Sequence, residues 1–486
     1  MKKEKRGYLT IYLALILGVL ISFIFTILEA VRIQTIRTQT ESVMDLGLFS
    51  VFGEYHRQLL EQYDLFFLDT AYGEGSADIK RSEEHLQYYL NQNFESTGGS
   101  GILGYRDLTD LHCDNVSFEG YVRASDEEGK VLKRQIVEYM QEKKGISGME
   151  TGVKNLLNMQ ETGKLSRDVD GEWEAANETV NELVKERKKE LVDPETGEEL
   201  DVDIDNPSEH VRQTRAEGIL GLAMPPKKKL SGSSVTLKNY LSHRNLLQGL
   251  GTLKVSENFL DQATQETLLQ EYLFEKCSYF DQTKEKAILK YQIEYLLHGK
   301  ESDLKNLEKV VKDILHIREV INITYLFSDA SKVKAANDLA WVVSLILVTP
   351  EIQEAVKLSI LYAWSYAESV QYVRILLDGK KVPVVKNAKT WNTPLFQLLS
   401  FKANLGKYTS TQDGMDYKDY LSFFLYLKKD KQILYRFMDI CEMDIRITQG
   451  NSYFQMDGCL EAVKASANVS SGYGPGYQIT RTYAYR

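Results

Sequence analysis

From Tyr8 to Leu28 the chain runs for 21 residues without a charge, YLTIYLALILGVLISFIFTIL. As a helix at ~1.5 Å per residue the run is ~32 Å long, the thickness of a bilayer's hydrocarbon core. Whatever else the chain folds into has to be tethered by this segment or cover it. Four basic residues (Lys2, Lys3, Lys5, Arg6) precede the run, and only Arg32 and Arg37 follow it closely. That bias predicts a cytoplasmic N-terminus with the remaining chain outside the membrane. The formal charge of the whole chain is -10; the first seven residues sum to +3, so the acidity belongs to the part beyond the span. An acidic chain has no basic excess to neutralise phosphates, which argues against a nucleic-acid partner. Membrane lipid is the partner this segment predicts.

Three fates are open to the segment. A cleaved secretory signal needs a shorter apolar stretch and small residues before the cut, whereas this one closes on Phe25-Thr26-Ile27-Leu28-Glu29-Ala30. An uncleaved single-pass anchor is the plain reading. A prepilin-like leader is the third: a basic peptide ending in Gly7, then an apolar helix starting at Tyr8. The fifth residue after such a cut is Tyr12, where prepilins usually carry Glu. Gly7, Tyr8 and Tyr12 are therefore the candidate processing residues.

Beyond the run there is no Pro between Leu28 and Leu68, and Gly occurs only at 47 and 53. Met44, Leu48, Val51, Phe52, Tyr55, Leu59, Tyr63 and Phe66 recur at helical spacing. Two organisations fit: one helix over 8–68, up to ~90 Å long, or an anchor, a short loop and a separate core helix.

The strings RGYLTIYLALILGVLISFIFTILEAVR and ESVMDLGLFSVFGEYHRQLLEQYDLFFLDTAYG resemble a family of uncharacterised bitopic proteins from Gram-positive anaerobes of the Clostridia. Those proteins are associated with tight-adherence (Flp) pilus systems and are similar in layout to TadE/TadG-like pseudopilins. The resemblance continues in YQIEYLLHGKESDLKNLEKVVKDILHIREVINITYLFSD, in DYKDYLSFFLYLKKDKQILYRFMDI and in the terminal ITRTYAYR. It implies a structural, non-enzymatic cell-envelope component, partnered by other pilin-like or pilus-assembly membrane proteins. It carries over no catalytic residue.

Residues 80–94 read as a helix, and 107–123 as a strand with turn residues at Asp114-Asn115. Ser125 and Glu128 have the spacing of a capping box for the next helix. Residues 145–235 are poor in large apolar side chains and include the acidic stretch 193–209; they read as a polar, partly mobile insertion. Farther on, Leu289, Tyr291, Ile293, Tyr295 and Leu297 alternate with polar residues as in a strand. Ser302 can cap a helix with an apolar stripe of Leu304, Leu307, Val311, Ile314 and Leu315. Residues 340–348 and a helix opening at Thr349-Pro350 read as two core helices, because nine apolar residues cannot span a bilayer. Tyr477, Ile479, Arg481, Tyr483 and Tyr485 share one face of a terminal strand. The expected fold is α+β and helix-rich, with a small antiparallel sheet. Its parts are a leader (1–7), a transmembrane helix (8–28), a membrane-proximal part (29–144), the insertion (145–235) and a main part (236–486).

Chemistry-bearing patterns are sparse. The seven histidines form no H-x-x-x-H or H-E-x-x-H pair, so no metal or cofactor is expected. Cys441 and Cys459 are candidates for a disulfide outside the cell, with buried free thiols as the alternative. Asp201, Asp203 and Asp205 alternate as in a calcium loop, but Asn206 and Arg212 stand where an EF-hand needs Gly and Glu. Two functions compete with the pilus reading: a membrane-anchored binding or sensing module, and an extracellular hydrolase whose site assembles from distant residues.

Overall fold

The computed structural model of the protein describes residues 4–97, 109–144, 151–190, 206, 208–253, 260–346, 350–406, 413–472 and 474–485. The helices are α1 (Glu4–Phe52), α2 (Arg57–Tyr63), α3 (Ile79–Thr97), α4 (Lys130–Lys144), α5 (Thr151–Glu161), α6 (Val169–Glu190), α7 (Glu209–Ala216), α8 (Ile219–Ala223), α9 (Gln262–Lys276), α10 (Gln292–His298), α11 (Asp303–Ser328), α12 (Ala330–Ile346), α13 (Gln353–Leu377), α14 (Phe401–Asn404), α15 (Tyr417–Leu427) and α16 (Asp430–Arg446). The strands are β1 (Leu68–Asp69), β2 (Leu111–Arg123), β3 (Cys459–Ser471) and β4 (Gly474–Ala484). The fold is α+β and helix-rich. Its chain divides into two compact units: residues 1–142, 238–260 and 437–486 in the first, 143–237 and 261–436 in the second.

The first unit is built on a four-stranded antiparallel sheet with β3 at its centre. β2 lies along one edge of β3, while β4 and the short β1 share the other. Alternation alone would turn every second residue of β2 away from the core. A bulge between Cys113 and Asn115 shifts the parity by one residue, so Leu111 and Cys113 before it and Val116 and Phe118 after it all face the same core. The pair read from sequence as a turn, Asp114-Asn115, is this bulge. β4 behaves as its alternation predicts. Ile479 is buried, and Tyr477, Tyr483 and Tyr485 pack on the core that α1 covers. Arg481 reaches Asp45 at 3.2 Å and Glu41 at 3.6 Å on α1.

α1 is one unbroken helix of 49 residues, ~73 Å long. Its second half docks through Ile36, Thr40, Val43, Met44, Gly47, Leu48, Val51 and Phe52, a stripe stepping by three and four residues. Thr40 is tolerated there because its hydroxyl donates to the Ile36 carbonyl at 2.8 Å. At Gly47 a Cβ would come within 2.8 Å of Leu90 on α3, so the missing side chain lets the two helices approach. The helix stops at Phe52, short of the limit of 68. Gly53 and Glu54 donate to carbonyls three and four residues back, which tightens the last turn. His56 then caps α2 by accepting the Leu59 N–H. The observed layout thus combines the two expected ones: a long continuous helix, then a break and a short core helix. Ser125 does not cap α4. Asp126 instead accepts the N–H groups of Arg123 and Gly249, a 3-10 turn intervenes with Glu128 at φ 61°, and the helix begins at Lys130.

The second unit is helical and surrounds α13, which is buried on all sides by α6, α8, α11 and α12. Its polar residues are matched individually: the Ser365 hydroxyl donates to the Glu319 carbonyl, and Asn322 donates to the Ser369 hydroxyl. The segment 145–235 supplies much of this core. Val169, Trp173, Ala176 and Val180 of α6 are buried, and the Trp173 ring lies 5.8 Å from that of Tyr366. Its polar composition marks an outer helix face, and the described part packs within the second unit. The expected strand at 289–297 is corrected: α10 occupies Gln292–His298. The alternating polar residues there do not face water. Gln292 accepts from Ser278, and Glu294 accepts the Phe280 N–H and the Tyr417 hydroxyl. Gly299 ends the helix in the left-handed region, where a Cβ would strike the Arg436 guanidinium. Ser302 caps α11 as its spacing predicts, and Leu307, Val311, Ile314 and Leu315 are buried while Leu304 is exposed. Pro350 opens a 3-10 turn that leads into α13; Thr349, the acidic residues 201–205 and the glycines 98–104 lie outside the described residues.

Docking of α1 should be measurable. Leu48→Ala removes a fully buried side chain and is expected to destabilise the first unit by about 2–5 kcal/mol. Leu46→Ala, on the exposed face two residues earlier, should change stability by less than about 0.5 kcal/mol. Chemical denaturation of both variants in detergent checks the contrast.

Candidate functional site

The first half of α1 is the largest apolar surface that the first unit leaves uncovered. The large residues between Tyr8 and Leu28 are 38–77% exposed on every side of the helix. Burying one such side chain fully is worth about 1.5–3 kcal/mol, so sixteen of them impose a demand that water cannot meet. Lipid tails or other helices can meet it. The backbone raises no obstacle, because a helix satisfies its own amides and carbonyls. This is the single helix among the described residues that is long and apolar enough to cross a membrane.

The helix is not uniform around its circumference. Thr10, Ala14, Gly18, Ser22 and Thr26 fall at strict four-residue spacing, and the other sixteen residues of the run are Tyr, Leu, Ile, Val or Phe. Small residues in such a row let a second helix backbone approach closely. Gly18 has open space around the position of its absent Cβ. The Thr26 hydroxyl donates to the Ser22 carbonyl at 2.9 Å, so it brings no unsatisfied polar atom into lipid. Average hydropathy hides the row; writing the segment in fours shows it.

The candidate processing residues lie within α1, which starts at Glu4 and runs through Gly7, Tyr8 and Tyr12. Tyr8 and Tyr12 are both exposed. Cys441 on α16 and Cys459 at the start of β3 are buried free thiols, not a disulfide. Burial pushes the Cys459 thiol well above its ordinary range, and its sulfur donates to the Gln455 carbonyl. Such a thiol is a packing group rather than a nucleophile.

Buried ions are the remaining candidates for chemistry among the described residues, and two clusters of them are enclosed. In the first unit Arg244 bridges Glu442 and Asp457, and Arg446 reaches Glu442 at 2.8 Å. Glu442 also accepts the Met456 N–H. In the second unit the Lys386 ammonium donates to Glu368, to the Tyr372 hydroxyl and to the Thr390 carbonyl. The Tyr372 ring is 3.8 Å from that nitrogen, and Glu368 accepts the Asn392 and Thr393 N–H groups. Burial lowers the Lys386 pKa to about 7, a value suited to a base, but neither side chain of the pair has any exposed surface for a substrate to reach. A cavity of about 20 Å³ beside Gln270, Tyr426 and Asp430 has room for one water. Among the described residues no group of three His, Cys, Asp or Glu converges to hold a metal ion.

Residues 197–471 match DUF5702, a family of unknown function. The chain belongs to this family. No curated protein and no solved structure matches it. The matched span of this DUF5702 protein includes α7 to α16 and β3, and excludes α1.

Two buried carboxyls give the second unit a pH signature. Burial raises Glu319 to about 8, against the pull of Arg215 at 3.5 Å, and raises Glu294 to about 7. A carboxyl raised in the folded state contributes stability that is present below its unfolded pKa and lost as pH climbs through the folded value. The melting temperature should therefore fall between pH 5 and pH 7. Above about 7 Lys386 acts in the opposite sense, because its depressed pKa favours the folded state as pH rises. Thermal melts across this range should show a flatter slope for Glu319→Gln than for the parent; an unchanged slope would show that Glu319 does not titrate there.

Proposed function

We propose that this protein is a single-pass envelope component with a cytoplasmic N-terminus, an extracytoplasmic α+β domain and a structural rather than enzymatic role. Its most specific form is a pseudopilin-like or accessory component of a tight-adherence pilus. The observation that carries the proposal is the division of α1 into an apolar half free of its own fold and a half clamped to a sheet. A continuous helix of this kind holds the first unit at a fixed rise above whatever embeds its first half. It also passes lateral packing in the bilayer directly to the sheet.

The row from Thr10 to Thr26 supports a helical partner for the embedded half, either another copy or another membrane protein. Within lipid there is no hydrophobic drive between helices, so close backbone approach at small residues does the work. The basic residues before Tyr8 and the scarcity of them after Leu28 support the orientation.

Two measurements test the proposal. The intact mass of the protein extracted from its native membrane should correspond to a chain beginning at Tyr8. Retention of Met1 would favour a resident membrane-anchored binding or sensing module. In the same membrane, Gly18→Ile should reduce cross-linking of α1 to its partner helix by roughly tenfold, equivalent to about 1.4 kcal/mol. Leu17→Ile, outside the row, should leave the cross-linked yield unchanged.

A further inference from the structure

The last two turns of α12 carry a compact group of large apolar side chains that the second unit does not cover. Leu339, Trp341, Val342 and Leu345 are each about one-third to one-half exposed, while Ala340 and Ser344 on the opposite face are buried. Sequence patterning reads this stretch as a core helix, but only one of its faces is in the core. The polarity of the outer face changes along the axis rather than around it. Ser331, Lys334 and Asp338 come first, and within one turn Trp341, Val342 and Leu345 replace them.

We propose that this end of α12 dips into the surface of the bilayer that anchors the chain, at the level of the headgroups and first acyl carbons. The inference rests on the membrane-anchored reading of α1. Two observations favour lipid over a protein partner. First, the four side chains exposed there among the described residues fall far short of the ~800 Å² per partner of a stable protein interface. A tethered chain needs much less, because a nearby bilayer acts at an effective concentration in the millimolar range. Second, a tryptophan flanked by aliphatic residues suits the interface, where the indole ring is buried and its N–H stays wet. Lys334 and Asp338 on the outer face cancel, so the patch has no net charge to draw anionic lipid, and zwitterionic lipid should suffice.

The tryptophans make this testable on the full chain. Of the four, Trp173 and Trp364 are 2% and 4% exposed and Trp391 is half-buried, while Trp341 is 53% exposed; α1 contains none. The protein is placed in phosphatidylcholine nanodiscs whose acyl chains carry bromine either near the headgroup or near the bilayer centre. Tryptophan emission should be quenched mainly by the shallow bromines. Trp341→Phe should remove the quenchable part, about one tryptophan in four. Val342→Ser with Leu345→Ser, both at exposed positions, should reduce the quenching while Trp341 remains. Incorporation into discs with equal emission in brominated and ordinary lipid would overturn the inference and leave the anchor standing. So would a cross-linked dimer through position 341 with no quenching, which would assign the patch to a second copy. Failure to enter discs at all would overturn the anchor reading and this inference with it.

Discussion

The docking of residues 36–52 of α1 on the sheet is the contact on which the first unit depends. It brings together elements from three separate stretches of sequence: α1 itself, the α3–β2 region and the β3–β4 hairpin. The energy is apolar burial along a stripe of helical spacing. The polar contacts at its margin, Arg481 with Asp45 and Glu41, are solvent-exposed and contribute little. What they add is register. So does the Tyr485 hydroxyl, which donates to the Phe52 carbonyl at 2.7 Å and so satisfies a group at the end of the helix.

The second unit follows a different rule. Its central helix α13 carries serines, a glutamate and a glutamine at buried positions, and each is answered by a specific partner rather than by water. The apolar side chains between them are buried because α6, α11 and α12 enclose the helix. The same enclosure explains why perturbed groups such as Lys386 and Glu319 need not mark an active site. Their shifts come from burial in the interior of a helix bundle, and the side chains of Lys386 and Glu319 are themselves almost wholly buried.

Where one physical signal dominated, the sequence was legible. The uncharged run announces the protruding half of α1, the alternation at 477–485 announces β4, and Ser302 announces the start of α11. Legibility failed where burial was complete. Gln292 and Glu294 alternate with apolar residues as a half-wet strand would, yet both are hydrogen-bonded in the interior of a helix. Ser125 does not cap the helix its spacing with Glu128 promises, because a 3-10 turn intervenes and the neighbouring Asp126 binds the Gly249 backbone, far away in sequence. The polar face of α6 concealed a buried face containing Trp173. At the candidate site the apolar character was plain, but the row of small residues was not, because it lies in position rather than in composition.

The sheet that clamps α1 also has a consequence for how the protein is made. β3 is synthesised about 400 residues after α1 ends, and it is the strand that every other strand of the sheet pairs with. At 5–20 residues per second, about 20–80 s separate the two elements on the ribosome. Throughout that interval Ile36, Leu48 and Phe52 have no sheet to bury them, and β2 has no partner. The apolar first half of α1 needs no such wait, since a single helix can partition into lipid alone. That half can therefore enter a bilayer before the sheet exists.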